Sequence, residues 1–198
     1  MSDIYLGTLT ALIGVIGTLT AIWFKYYLDR KKHEDVCIVN RTITEIDEMS
    51  YRLDELKDEI NADRISIMSF HNGGEYYSGK SMQKFSCSYE VVNPGISRSL
   101  LDLQNIPVAA CLPTLRTLIR NKEFHCDDVT ADYPESFCKF KLLENGVKST
   151  YQYVILDLKK NAIGILRADF VTKKVKLSRD GHVSLRHLAI KLPGYLSK

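Results

Sequence analysis

The chain has 198 residues, 45% hydrophobic and 26% charged, with a net charge of +3. That is enough for one domain with a sizeable core, and too small a basic excess to imply a nucleic-acid partner. Its five cysteines, Cys37, Cys87, Cys111, Cys126 and Cys138, are odd in number and include no CxxC pair. This usage fits a reducing compartment with buried or free thiols better than a disulfide scaffold.

Ile4 to Phe24 forms an uncharged run of 21 residues, followed by Lys25 and then Arg30-Lys31-Lys32. At about 1.5 Å rise per residue such a helix matches a hydrocarbon core of roughly 30 Å. A signal peptide places its basic region first, whereas Met1-Ser2-Asp3 carries none and the basic cluster follows the apolar run. Trp23, Tyr26 and Tyr27 sit where amphipathic rings favour the headgroup region. The sequence therefore predicts a transmembrane anchor over residues 1–32 with the lipid bilayer as partner; the alternative is a wholly buried helix. The excess of Lys and Arg after the run places the N-terminus outside and residues 25–198 in the cytoplasm, as in a single-pass protein of a bacterial inner membrane. Gly7, Ala11, Gly14, Thr18 and Ala21, spaced four, three, four and three apart, offer a small-residue stripe for helix–helix contact.

Residues 33–61 read as an amphipathic connecting helix. Val39, Thr42, Ile46, Met49, Leu53, Leu56 and Ile60 recur at alternating spacings of three and four, the seam pattern of a coiled coil. Two readings follow: self-association of parallel helices into a homodimer or higher homo-oligomer, or packing of this stripe on the chain's own domain. Both hold if the first half pairs between chains and the second half docks.

Residues 62–198 read as one cytoplasmic domain. ADRISIMSF predicts a strand, with His71-Asn72-Gly73-Gly74 as the turn that ends it, because Asn and Gly tolerate positive φ. KFSCSYEVV predicts a second strand, closed by Asn93-Pro94-Gly95. A helical pattern over 108–119 begins or kinks at Pro113. KEFHCDDVTADYP suggests a short strand and loop, and 137–143 another short helix. YQYVILDL and IGILRADF alternate about a polar turn at 159–162, an antiparallel hairpin. A last helix follows Ser178-Arg179-Asp180-Gly181, with Val183, Leu185, Leu188, Ala189 and Leu192 as its apolar stripe, and ends near Pro193-Gly194.

In this order the chain resembles the GAF family of the GAF/PAS-like sensory fold over about residues 45–192. The features that carry the resemblance are the amphipathic helix into ADRISIMSF, DDV at 127–129, the hairpin ending in AIGILRADF, and the closing helix SRDGHVSLRHLAIKL. Gly164-Ile165-Leu166 matches the glycine-plus-apolar stretch typical of the GAF hairpin. FHNGG is also similar to a stretch in GAF-like proteins of bacteria and phages without assigned activity. The resemblance implies an α+β fold with a GAF-like mixed or antiparallel sheet flanked by helices, here preceded by the transmembrane and coiled-coil-like helices.

Candidate ligand-binding residues are His71, Asn72, Tyr89, Tyr133 and Tyr153, a polar turn and aromatic surfaces able to line a pocket. Candidate oligomerisation residues are Gly7, Ala11, Gly14, Thr18, Ala21, Val39, Ile46, Met49, Leu53 and Leu56. His125, Cys126, Asp127 and Asp128 carry metal-ligating groups, but adjacency suits one tetrahedral site poorly, so neither a metal nor a cofactor is expected. GxxxxGKS/T, GxSxG and HExxH are all missing, and no catalytic residue is assigned. The expected function is non-catalytic: a sensory or interaction protein that binds a small ligand or a cytoplasmic protein and couples through its heptad helix. Alternatives are a scaffold with a degenerate GAF fold, and a GAF-type redox enzyme using Cys126 or Cys138.

Overall fold

The computed structural model describes residues 2–196 in backbone, and the side chains of residues 14, 16–29 and 38–196. The first element, α1 (Ser2–Ile60), is one helix of 59 residues. No glycine or proline lies between Thr18 and its end, so nothing removes an interior hydrogen bond. It stops at Asn61, whose φ of 51° is left-handed, and the Ala62 amide turns back to the Lys57 carbonyl at 2.9 Å, a helix-ending arrangement that Asn tolerates.

Among the described residues no helix is long and apolar enough to cross a membrane. This corrects the expected transmembrane anchor, the bilayer as partner, and the single-pass topology with its outer N-terminus and cytoplasmic domain. Gly7 and Ala11 lie outside the described side chains, while Gly14, Thr18 and Ala21 are exposed.

The chain divides into two compact units, Met1–Glu45 and Ile46–Lys198. The second holds a six-stranded sheet in the order β3-β2-β1-β6-β5-β4, antiparallel at every pairing. Its strands are β1 (Arg64–Glu75), β2 (Ser81–Val92), β3 (Ile106–Pro107), β4 (Glu123–Cys126), β5 (Ser149–Leu156) and β6 (Ala162–Phe170). A 3-10 turn (Val108–Cys111) leads into α2 (Leu112–Asn121), where Pro113 sits in the first turn and costs no hydrogen bond. Between β4 and β5 come α3 (Val129–Asp132) and α4 (Phe137–Glu144); α5 (Arg179–Lys191) and α6 (Pro193–Leu196) close the chain.

His71-Asn72-Gly73-Gly74 does not end β1, contrary to the sequence reading. His71 pairs with Lys84 and Asn72 with Gln83, and an irregularity between Asn72 and Glu75 absorbs the two glycines, Gly74 at φ 110°. A bulge needs the same permissive residues as a turn. The chain reverses instead at Tyr76–Lys80, where the Tyr76 amide donates to the Lys80 carbonyl at 2.8 Å.

Alternation along the strands splits the core in two. Ile65, Ile67, Tyr151, Tyr153, Leu166 and Phe170 face α1 and α5, packing on Met49, Leu53, Leu56, Leu185 and Ala189. Met68, Phe85, Cys87, Val154 and Ile165 face the opposite way, onto Cys111, Leu115 and Leu118. The heptad seam is thereby divided. Met49, Leu53 and Leu56 are filled in by the chain's own sheet and helix, while Val39 and Ile46 are 57% and 44% exposed.

Cys111 and Cys138 form a disulfide with their Cα atoms 5.3 Å apart, tying the 3-10 turn to α4. This corrects the expectation of free thiols throughout. The partners are 27 residues apart in sequence, so only the packing of α4 beside α2 brings them together, and spacing rules cannot see it.

Candidate functional site

The face of the sheet under α2 and α4 carries an unusual load of charge. Period-two alternation puts Arg64 and Ser66 of β1, Glu90 of β2, Thr150 and Gln152 of β5, and Arg167 and Asp169 of β6 on that side, all buried. Arg64 Nε lies 3.4 Å from Glu90, Arg64 Nη1 3.4 Å and Arg167 Nε 3.1 Å from Asp169, and Thr150 Oγ1 donates to Asp169 at 2.8 Å. Glu90 is also clasped by the loop after β2: the Ser99 hydroxyl donates at 2.6 Å and the Ser99 and Leu100 amides at 2.9 and 3.1 Å. Buried charges persist only when paired and hydrogen-bonded in this way.

Beside this network lies a cavity of ≈ 30 Å³ between the sheet and α2/α4. Its floor is Met68, Phe85 and Ile165, and its polar wall is Thr114, Tyr133, Gln152 and Arg167. Gln152 and Arg167 are register partners on β5 and β6; the Gln152 amide donates to the Tyr133 hydroxyl at 3.4 Å. Burial raises the Tyr133 phenol above its ordinary value, so it stays protonated and keeps its donor. The Cys111–Cys138 disulfide forms part of the lining.

Of the five residues expected to bind a ligand, only Tyr133 reaches this cavity. His71 is half-buried at the far end of the β1–β2 hairpin, its Nε2 2.8 Å from Ser86 Oγ. Asn72 is exposed there and accepts from Ser81 at 2.6 Å. Tyr89 packs on the opposite face, against the core shared with α1 and α5. Tyr153, an odd position of β5, also points that way. Its hydroxyl lies 3.1 Å from His125 Nε2 and 2.5 Å from His182 Nδ1, with the two imidazoles 4.3 Å apart. Burial lowers the His125 pKa, and the adjacent His182 lowers it further. Arg167, Gln152 and Thr114 escaped the sequence reading. The available signal was a charged pair, Arg167 and Asp169, inside a strand otherwise apolar on both faces.

The residues 125–128 do not converge. His125 turns to Tyr153, Cys126 is buried with Val129 and Leu142, Asp127 Oδ1 receives the Tyr151 hydroxyl at 2.5 Å, and Asp128 caps α3 while pairing with Lys174. Among the described residues no group of three such side chains could hold a metal ion. The redox reading also loses its residues. Cys138 is in the disulfide, and burial pushes the Cys126 thiol up to about 11 and the Cys87 thiol up to about 12, whereas reactivity requires an accessible thiolate.

No known family profile matches this sequence, and no curated protein matches it. Solved structures do. The blue-light-absorbing form of the PixJ GAF domain of Thermosynechococcus elongatus is similar at TM-score 0.60 and 13% identity, over 79% of this chain and 85% of that one. A far-red cyanobacteriochrome photoreceptor is similar at TM-score 0.62 and 14% identity, over 86% and 97%. The phycoerythrobilin-bound GAF domain of a cyanobacterial phytochrome is similar at TM-score 0.61 and 19% identity, over 80% and 88%. At these identities the likeness establishes the fold: this chain has the α+β fold of GAF sensory domains, a curled antiparallel sheet flanked by helices.

Proposed function

We propose that this chain is a non-catalytic sensory module that takes a small ligand into the cavity between the sheet and α2/α4. The observation that carries this reading is the cavity wall, where Thr114, Tyr133, Gln152 and Arg167 bring polar groups into an otherwise apolar site. Few, convergent polar groups in an apolar concavity are what a ligand site requires. At about 10–15 Å³ per water-sized group, the ≈ 30 Å³ present accommodates two or three such groups. A group as large as the bilin of the phytochrome domain has no room in this form. Thermal-shift screening of the full chain with small polar fragments tests the reading. A saturable stabilisation that disappears in Leu142→Trp, which fills the space, supports it. The absence of any saturable fragment favours a scaffold whose GAF-like fold has lost its ligand, the reading that the small volume itself recommends.

Output is proposed to leave through α1. Its lower positions, Met49, Leu53 and Leu56, are part of the core, and the same seam continues along one helix to the exposed Val39 and Ile46. A second copy of this chain is the proposed occupant of that exposed part, since heptad spacing is a pattern made for an identical helix. Light scattering of the full chain decides it: a dimer or larger assembly that falls to a monomer in Val39→Glu/Ile46→Glu supports the pairing, and a monomeric parent chain refutes it.

A further inference from the structure

We propose that the ligand of this cavity is a small planar oxyanion or carboxylate, held by Arg167. The inference rests on the ligand-cavity reading above and names the class of ligand. Arg167 is 9% exposed and lines the cavity, yet its donors are underused. Its Nε approaches Asp169 at 3.1 Å but is so aligned that it makes no hydrogen bond, and the structure gives its terminal nitrogens no partner among the described residues. Arg64, one strand away, is the internal comparison. There both terminal nitrogens are hydrogen-bonded, Nη1 to Asp169 at 3.4 Å and Nη2 to the Ser97 carbonyl at 2.7 Å, and only Nε, 3.4 Å from Glu90, makes no hydrogen bond, as in Arg167. Asp169 already serves Arg64, Arg167 and Thr150, so it has little left to give Arg167.

The remainder of the wall fits an anion. The lining residues include two cations, Arg167 and Lys141, the latter paired with Glu144 at 2.7 Å, and no carboxylate. Thr114 Oγ1 is buried in the same wall beside the Tyr133 hydroxyl, with which it makes no well-formed hydrogen bond. Gln152 and the Tyr133 hydroxyl supply further donors from the strand opposite Arg167 and from the segment before α4. A guanidinium presents its donors as a planar fork that matches two oxygens of a carboxylate or related oxyanion. Size then limits the class, because room for two or three water-sized groups suits the three heavy atoms of formate or nitrite, while nitrate and acetate, with four, probe the upper limit and a phosphate ester exceeds it.

The test is titration of the full chain with sodium formate, nitrate and acetate, read by calorimetry and by thermal shift against sodium chloride at equal ionic strength. Formamide and acetamide serve as neutral counterparts. The expected result is a saturable response to at least one of these anions, at least tenfold weaker in Arg167→Gln and partly restored in Arg167→Lys. Should Arg167→Gln not fold, Thr114→Val carries the same test, with weakening of at least threefold expected. A response that does not saturate, or that Thr114→Val leaves unchanged, overturns the inference. Saturable binding of the amides but not of the anions also overturns it while leaving the ligand-cavity reading intact; no saturable response to either set counts against both.

Discussion

Asp63 offers the sharpest test of how the two central strands are held. It is 7% exposed, and its Oδ2 accepts from the Val171 amide at 2.7 Å, the Thr172 amide at 2.8 Å and the Thr172 hydroxyl at 2.9 Å. One carboxylate oxygen thereby fastens the start of β1 to the chain leaving β6. In Asp63→Ala two amides lose their acceptor, each at about 1–3 kcal/mol, and a hydroxyl bond goes with them. The expected loss is about 3–5 kcal/mol, at the high end for a single substitution. Asp63→Asn retains an acceptor oxygen but not its charge. Because charge-assisted bonds are roughly twice as strong as neutral ones, the cost falls to about 1–2 kcal/mol. Burial alone would raise the Asp63 pKa, but the Thr172 and Val171 amides and the Thr172 hydroxyl outweigh it and hold the carboxyl below its ordinary value. The folded protein therefore binds this proton less readily than the unfolded chain. The stabilisation is fully present above the unfolded value near 3.8 and is lost as pH falls through the folded one. Urea unfolding followed by circular dichroism at pH 7 and at stepwise lower pH measures both effects. A cost below 1 kcal/mol for Asp63→Ala, or an Asp63→Asn deficit that does not shrink on acidification, would refute the reasoning.

Three further outcomes are expected. Glu90→Gln loosens the loop after β2, whose Ser99 and Leu100 amides it holds, so their hydrogen exchange quickens at least tenfold at a stability cost of about 2–3 kcal/mol; unchanged exchange contradicts this. His125, with its pKa lowered by burial and then by His182 against the opposing pull of Glu123, binds its proton less readily folded than unfolded. Stability is thus complete above about 6.5 and declines as pH falls below it, which an imidazole titration by NMR alongside unfolding at pH 7.5 and 5.5 measures. A gain on acidification excludes it. Reducing Cys111–Cys138, which closes a loop of 27 residues, removes about 3.5 kcal/mol on the chain-entropy account. Without reductant, thiol titration of the unfolded chain counts at most three of its five cysteines; a count of five denies the bond.

Much of the fold is legible from local pattern. The period of two in YQYVILDL and AIGILRADF and the polar turn between them specify the β5–β6 hairpin before any partner is known. In the structure Ser178 caps the last helix, its hydroxyl accepting from the Gly181 amide at 3.1 Å. The heptads of α1 specify a helix with one apolar stripe, but spacing says nothing of what covers that stripe. Only the packed domain reveals that Met49, Leu53 and Leu56 are buried while Val39 and Ile46 stay exposed.

The candidate site was less legible, because it depends on register. Parity sends Tyr153 and Gln152 to opposite faces of β5, and pairing sets Gln152 opposite Arg167 on β6; neither relation is local. The same holds for Cys111 and Cys138, which meet only when α4 lies beside the 3-10 turn. The amino-acid sequence by itself determined the period of each segment and the residues able to cap, bulge or reverse it, since those preferences act over a few neighbouring residues. Which side chains share a cavity, which charges are buried together and which thiols are bonded was decided by the tertiary structure, because those contacts join residues tens of positions apart.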